Sequence, residues 1–385
     1  MADPIPPSDP AIAPDAILEG TAPNPEMGLA LRKEGTLAWE QTTAELAKAM
    51  SGRLTVAFLG SASSGKDSAI KAIFGVDFGE ISPIPGSTST LKVIPLDEAE
   101  QVLIVNAPGF GDVRADVDQV ARKILDDLDV IVYVVNSEGG ATIDEKRDLA
   151  AIRARARPVL VCLNKIDLIR ARDREAFIVA TLEQLGVDRA DAVITAFDPL
   201  PQLSREPMGV EEVTAWIYAQ LAESGKQLLF AKQLRNKAQA CEPIIQAAAK
   251  RASVAGAIPI PGADLALVTA IQVKMIRDIA IVHGADIDKE VALFIIGELL
   301  SGGMRGFVRW GAEALKAAGW IPGTQLVEAA ILGIGALVAG ATTFGVGRAA
   351  VQYFQSGRTL DSAALRMVFD AAAWDYKRKK DAIGV

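Results

Sequence analysis

Residues 60–68, GSASSGKDS, constrain this chain more than any other stretch of its sequence. They follow the apolar run 54–59 and precede a helical pattern that ends near residue 74. A strand, a loop with the spacing G-x-x-x-x-G-K and a helix start place backbone N–H groups and a lysine around anionic oxygens. The stretch therefore predicts a phosphate-binding loop, with ligand contacts from Gly60, Ser63, Ser64, Gly65, Lys66, Asp67 and Ser68.

Short apolar runs alternate with helical patterns from residue 54 to about residue 222. The later runs are LKVIPL, VLIVNA, VIVYVV, PVLVCL and AVITAF, with helices expected near residues 115–128, 143–155, 172–185 and 209–222. Continuous Val, Ile and Leu runs are typical of strands that helices cover on both faces. The segment DEAEQ between LKVIPL and VLIVNA is too short for a crossover helix, so these two runs predict an antiparallel hairpin at the sheet edge. The fold class is a doubly wound α/β domain followed by helices.

Composition divides the chain into four predicted parts. Residues 1–26 are rich in proline and lack periodic apolarity, which predicts a disordered arm. Residues 27–50 have helical apolar spacing and are expected to pack as a helix against the following domain. Residues 51–224 form the α/β domain, and the Ala-rich residues 225–385 form an all-helical domain.

Charge and residue usage exclude some partners. A net charge of −8 argues against a protein that mainly binds nucleic-acid backbone, and no nucleic-acid partner is expected. The two cysteines, Cys162 and Cys241, form no CxxC pair, which favours a reducing compartment without structural zinc. The N-terminus lacks the apolar stretch of a signal peptide. We expect a cytoplasmic protein, with the periphery of the inner membrane as an alternative site.

A second polar motif follows the strand PVLVCL. It reads NKID and lies about a hundred residues beyond the glycine loop. The carboxylate of Asp167 would accept hydrogen bonds from both N1–H and N2–H₂ of guanine, a bidentate pair that adenine cannot form. The alternative interpretation is a polar helix cap. Together with the phosphate loop, NKID favours a site for guanine nucleotide.

On these two motifs, residues 54–222 resemble the translation-factor-like class of P-loop GTPases, most closely the Era and TrmE branch. The resemblance implies that GTP and GDP bind together with Mg²⁺. It places Asn164, Lys165 and Asp167 on the guanine base. Thr195 and Ala196, in VITAFD, match the element whose backbone N–H contacts the base carbonyl.

The resemblance also assigns two switch segments. ISPIPGSTST matches the first switch, where Thr88 would close over Mg²⁺ and the γ-phosphate, and NAPGFGD matches the second, where Gly109 would donate its N–H to the γ-phosphate. Phe110 stands where some GTPases place the glutamine that orients the attacking water. Asp112 is the nearest polar candidate for that task. Because no glutamine is present to orient the water, we expect slow intrinsic turnover.

Two departures from the resembled family concern the metal. The family has Ser or Thr where this chain has Asp67, and Asp where this chain has Asn106. One hypothesis is an exchanged Mg²⁺ site, with Asp67 as a direct ligand and Asn106 orienting a bound water. The competing hypothesis is a degenerate site, in which the carboxylate repels the β-phosphate unless metal intervenes.

The helical half resembles the C-terminal domain of unknown function in YcjF-type bacterial GTPases and, loosely, the helical part of the immunity-related GTPases. The signals are PIPGAD before an amphipathic helix and a glycine-punctuated helix that runs into Tyr353 and Phe354. Residues 329–347 contain no charged residue and many small ones, a pattern that suits either a buried helix or a short membrane span.

The sequence therefore predicts a slow GTPase that acts as a nucleotide-dependent switch on a helical effector domain. The rival prediction is a scaffold that binds guanine nucleotide weakly or without hydrolysis. A third prediction makes the helical domain a membrane anchor or remodeller. The partners considered besides guanine nucleotide are a second copy of the chain and a membrane surface.

Overall fold

The computed structural model describes residues 25–77, 92–107, 127–154, 157–257, 263–299 and 324–383. The chain divides into two compact units. The α/β unit is Ala47–Ala240, and the helical unit combines Met1–Leu46 with Cys241–Val385. The predicted arm lies outside the described residues except for positions 25 and 26, which begin the first helix.

The described chain starts with α1 (Pro25–Met50). The α/β unit then contains, in chain order, β1 (Leu54–Leu59), α2 (Lys66–Phe74), β2 (Lys92–Pro95), β3 (Val102–Asn106), β4 (Val130–Asn136), α3 (Ile143–Arg153), β5 (Val159–Asn164), α4 (Arg174–Leu185), β6 (Ala192–Ile194), α5 (Val210–Gln220) and α6 (Gln227–Gln233). All six predicted apolar runs form strands. The helix predicted at 115–128 falls outside the described residues but for its last two positions, which are not helical.

The six strands form one sheet in the order β2-β3-β1-β4-β5-β6. β2 pairs antiparallel with β3, whereas the remaining neighbours pair in parallel. The predicted doubly wound sheet and its antiparallel edge hairpin are therefore confirmed. Strand order reverses beside β1, whose neighbours are β3 on one side and β4 on the other, and ligands in such sheets bind at the carboxyl ends of the strands at this point.

The core of the α/β unit includes α6. Every residue of β1 is buried, as expected for a central strand. Phe74 packs edge-on against both Phe58 and Phe230, with ring centroids 6.1 and 6.0 Å apart. Phe230 lies on α6, beyond the predicted domain boundary at residue 224, so aromatic packing joins this helix to the α/β unit.

The helical unit contains α7 (Lys237–Gly256), α8 (Ala263–Val282), α9 (Lys289–Glu298), α10 (Thr324–Gln355) and α11 (Ser362–Ile383). α7 begins within the α/β unit and continues into this one. In the described residues beyond α7 every regular element is a helix, which confirms the predicted all-helical region.

Most of α1 packs in the helical unit, not on the α/β domain that follows it as the sequence predicted. Arg277, on α8, is nearly buried and donates to Trp39 O at 2.9 Å, Thr42 Oγ1 at 2.7 Å and Thr43 Oγ1 at 3.0 Å. Its guanidinium also lies 4.0 Å from the centroid of the Trp39 ring, a cation–π distance. Burial lowers the pKa of Arg277. A largely buried guanidinium is stabilised by such partners, and these bonds hold α1 against α8.

Four of the five glycines of α10 are positions of close helix contact. A Cβ on Gly345 would lie 2.8 Å from Phe369 Cδ2 and 3.0 Å from Phe369 O on α11. A Cβ on Gly340 would contact Ser253 and lie 3.1 Å from the Tyr376 hydroxyl. Leu332–Gln355 has a mean hydropathy of 1.4 and is long and apolar enough to cross a membrane, yet 67% of that window is buried inside the protein. The described structure thus uses the small residues for internal packing.

We expect Gly345→Ala to destabilise the helical unit by about 1–3 kcal/mol, because the added methyl overlaps Phe369 and backbone must shift. The matched control is Gly333→Ala on the same helix, where a Cβ meets no described residue within 4 Å. There the better helix propensity of alanine should stabilise by up to about 1 kcal/mol. Thermal unfolding, together with hydrogen exchange across α11, measures both; equal effects of the two substitutions would contradict this packing.

Candidate nucleotide-binding site

The loop between β1 and α2 depends on two glycines in the left-handed region. Gly60 has φ 141° and Gly65 has φ 97°. A Cβ on Gly60 would collide with the carbonyl oxygen of Val134, and one on Gly65 would collide with the side-chain amide of Asn164. The absence of side chains at these two positions lets the loop backbone lie close to the strand ends.

The serines of the loop differ in environment. Ser63 is exposed and left-handed at φ 59°, and Ser68 is half-buried on α2. Ser64 is fully buried, and its hydroxyl has no hydrogen-bond partner within the described part of the chain. That hydroxyl lies 3.1 Å from the position that a Cβ on Gly60 would take, which places it inside the loop. A buried donor without a partner in a glycine-lined loop fits a site for an anionic oxygen.

Lys66 folds back over this loop. Its Nζ donates to Gly60 O at 2.9 Å and to Ser61 O at 2.8 Å. Burial lowers the pKa of Lys66, while the adjacent carboxylate of Asp67 acts in the opposite direction. The lysine charge is therefore held at the rim of the loop, as phosphate binding requires.

Asn164, at the end of β5, joins the loop to the segment after β6. Its Nδ2 donates to Ser64 O at 2.8 Å, across 100 residues of sequence. Its Oδ1 accepts from Phe197 N at 3.0 Å and from Thr195 Oγ1 at 3.4 Å. The residue is 2% exposed. The structure therefore gives Asn164 a joining function, and its predicted contact with guanine stays a prediction.

The rest of NKID turns away from the strand after Asn164. Lys165 is left-handed at φ 62°, and its Nζ pairs with Glu138 Oε2 at 2.9 Å. This hydrogen bond lowers the pKa of Glu138. Asp167 is 8% exposed, and its Oδ2 accepts from Leu200 N at 3.3 Å. The carboxylate is therefore fixed beside the segment that follows β6.

The backbone N–H groups of the segment after β6 have protein partners. Thr195 N donates to Leu163 O at 2.9 Å, and Ala196 N donates to Met208 O at 3.1 Å. Met208 N returns a bond to Ala196 O at 2.9 Å. Since these protein carbonyls already accept both N–H groups, a contact of the Ala196 N–H with a base carbonyl would have to replace a bond that the structure shows.

Two of the three residues predicted to hold the metal, Asp67 and Asn106, lie in contact. Asn106, the last residue of β3, donates from Nδ2 to Asp67 Oδ1 at 2.5 Å. Parallel pairing of β3 with β1 sets this position, because Asn106 is in register with Phe58. Within the described ranges no group of three or more His, Cys, Asp or Glu residues could hold a metal ion. Thr88, the third predicted ligand, lies outside the described residues, as do Gly109, Phe110 and Asp112.

One contact of the loop was not predicted. Ser61 Oγ donates to Glu145 Oε1 at 3.2 Å, and Glu145 is 3% exposed. Glu145 also completes a capping box with Thr142 at the start of α3. The pattern T-x-x-E in the sequence signals such a box, but it does not reveal that the same carboxylate holds the phosphate loop.

Comparison with known proteins agrees with this geometry. Residues 55–165 match the family described as 50S ribosome-binding GTPase, and residues 219–373 match the family described as domain of unknown function DUF697. Residues 55–165 are a P-loop GTPase domain. The GTPase domain is thus followed by a DUF697 region that covers most of the helical unit.

Curated relatives are similar to the GTPase domain at modest identity. GTPase Era of Borrelia hermsii (strain HS1 / DAH) is 27% identical over 174 residues, which is 44% of this chain and 57% of the relative. GTPase Der of Sulfurihydrogenibium sp. (strain YO3AOP1) is 27% identical over 130 residues, 32% of this chain and 29% of the relative. The solved G-domain of FeoB from Methanococcus jannaschii has 18% identity and a TM-score of 0.30, covering 44% of this chain and 99% of that one. The chain therefore spans little more than half the length of the Era relative.

We expect Asn164→Ala to loosen the phosphate loop, because it removes buried hydrogen bonds worth about 1–3 kcal/mol. GDP affinity should fall about tenfold or more, and hydrogen exchange at residues 60–66 should accelerate. Asn136→Ala is the matched control: Asn136 ends the neighbouring strand in register with Asn164, but the side-chain hydrogen bonds that the described structure gives it go to the exposed Glu138. Calorimetric titration measures affinity, and an equal loss in both variants would contradict the joining function.

Proposed function

We propose that this chain is a guanine-nucleotide-dependent switch that hydrolyses GTP slowly. The observation that carries the proposal is the amide of Asn164, which bonds to the phosphate loop and to the segment after β6 at once. The loop and the buried carboxylate of Asp167 therefore belong to one site, with phosphate binding at one end and base recognition at the other. The similarity of residues 55–165 to GTPases supports the same function.

Each part of the site has a defined task in this proposal. The backbone of Gly60–Ser68 and the ammonium of Lys66 bind the phosphates, and the Ser64 hydroxyl donates to an anionic oxygen. Asp167, held by Leu200 N, accepts N1–H and N2–H₂ of guanine. Mg²⁺, when bound, would neutralise charge on the β- and γ-phosphates, with Asp67, Asn106 and Thr88 as the residues to hold it.

The proposed switch acts on the helical unit. The γ-phosphate would order the segments of Thr88 and Gly109, and the change would pass along the chain through α6 and α7. The protein would act in the cytoplasm, with a second copy of the chain as the proposed activating partner. Association with the inner membrane is less favoured than a core function for α10, since its glycines contact α7 and α11.

Base recognition by Asp167 is tested by a change of specificity. In Asp167→Asn the amide offers one acceptor and one donor, which match N1–H and the C2 carbonyl of xanthine in place of the two donors of guanine. We expect GDP affinity to fall by about 100-fold or more, given about 1.5–3 kcal/mol for each charged hydrogen bond, and xanthosine diphosphate affinity to rise. Asp173→Asn, on the exposed start of α4, is the control. Unchanged preference for GDP in Asp167→Asn would contradict the assignment.

Turnover separates the switch from the rival scaffold. With protein in excess over GTP, we expect phosphate release on the order of 10⁻⁴–10⁻² s⁻¹, because no glutamine stands after Gly109 to orient water. Lys66→Ala should abolish release and so exclude a contaminating phosphatase. Stable binding of GTP without any phosphate release over hours would favour the scaffold.

A further inference from the structure

We infer that Asp67 and Asn106 act as a reciprocal pair that makes nucleotide binding by this chain strictly dependent on a divalent cation. Asp67 is the direct ligand, and Asn106 is the positioning residue that orients its carboxylate. This inference deepens the proposed function and rests on it, because the phosphates of the nucleotide complete the cation site. It concerns only these two side chains and the loop beside them.

The hydrogen bond between the two side chains fixes which atoms remain for a cation. Asn106 donates its amide nitrogen, which cannot ligate a metal, to Asp67 Oδ1. The second carboxylate oxygen and the amide oxygen remain, and both are hard oxygen donors of the kind that Mg²⁺ selects. An amide that holds one carboxylate oxygen orients the other, as outer partners of metal ligands do.

Asp67 has no cationic partner among the described residues, although Lys66 precedes it. The Lys66 ammonium bonds to Gly60 O and Ser61 O instead. The carboxylate is exposed, lies in the first turn of α2 and takes its hydrogen bond from a neutral amide. The buried, unpartnered hydroxyl of Ser64 is an independent sign that an anionic ligand belongs in the adjoining loop. A carboxylate in this position would repel the anion, and a cation between them would turn that repulsion into attraction.

The charges explain why the requirement should be strict. Lys66 and Asp67 together give the loop a side-chain charge of zero, so phosphates gain little from it without metal. With Ser or Thr in place of Asp67, the pattern of the resembled family, the loop would keep the full positive charge of Lys66. A divalent cation on Asp67 changes repulsion of the phosphates into attraction. The same total charge is reached with Ser at 67 and Asp at 106, so the two positions should compensate each other.

The test compares four proteins: wild type, Asp67→Ser, Asn106→Asp, and the double variant with both changes. Binding of a fluorescent GDP is titrated with Mg²⁺ and with EDTA, and bound ion is counted separately by Mn²⁺ electron paramagnetic resonance. Wild type should lose roughly 100-fold of its affinity in EDTA, and Asp67→Ser should lose roughly tenfold or less, because its loop keeps the lysine charge. Asp77→Ser, which removes a carboxylate just beyond the other end of α2, is the charge control and should behave as wild type.

The effects of the two single substitutions on binding should not be additive in the double variant. Asn106→Asp adds a second negative charge beside the phosphates and removes the amide that orients Asp67, so we expect weaker GDP binding than in wild type. Asp67→Ser should weaken Mn²⁺ binding, and the double variant should recover it to within roughly tenfold of wild type. Circular dichroism verifies that each variant is folded.

The outcomes distinguish this inference from the proposed function. GDP binding by wild type that EDTA leaves unchanged would overturn the inference and leave a guanine-nucleotide protein. Additive losses in the double variant, or tighter Mn²⁺ binding in Asp67→Ser than in wild type, would likewise overturn it in favour of a degenerate site. If wild type binds no GDP with or without metal, the proposed function fails and the inference fails with it.

Discussion

The hydrogen bonds of one buried amide hold the candidate site together. Asn164 bonds to Ser64 O on the phosphate loop and to Phe197 N after β6. Because Asn164 ends a central parallel strand, the sheet itself sets the distance between the two ends of the site. Gly65 must lack a side chain for this amide to reach the loop. The glycine spacing and the NKID motif are therefore one structural requirement and not two separate signals.

Three acidic residues of the α/β unit differ in what they stabilise. Glu145 is buried and holds Ser61 while it caps α3, so it belongs to the scaffold. Asp129 accepts from Thr55 N at 2.9 Å and pairs with Lys226 at 2.6 Å, which fixes the start of β1 against the segment before α6. Asp67 alone among these three is exposed, and it accepts from the side-chain amide of Asn106. Its position makes sense for ligand binding and offers little to stability.

The sequence predicted the strands, the edge hairpin and the glycine loop because local patterns determine them. Short continuous apolar runs between helical patterns indicate strands, and a short connection between two such runs indicates an antiparallel pair. The predicted packing partner of α1 was wrong, because helical periodicity identifies a buried face of a helix without identifying what covers it. That partner includes Arg277, more than 230 residues away, whose bonds to Trp39 and Thr42 no local pattern could indicate. The bond of the Ala196 N–H to Met208 was missed for the same reason.

The composition of the apolar helix α10 is compatible with two environments, lipid and a protein core. Small residues permit close helix contact in lipid and in a tightly packed soluble bundle, so the sequence left both open. Glycine inside a helix costs about 1 kcal/mol relative to alanine, and only contact can offset that cost. At Gly345 the contact is Phe369 of α11, and at Gly340 it is Ser253 of α7. The buried bond from Gln272 to Thr343, at 3.2 Å, adds a polar link to α8. Contacts with three helices of its own unit therefore explain most of the glycines of α10.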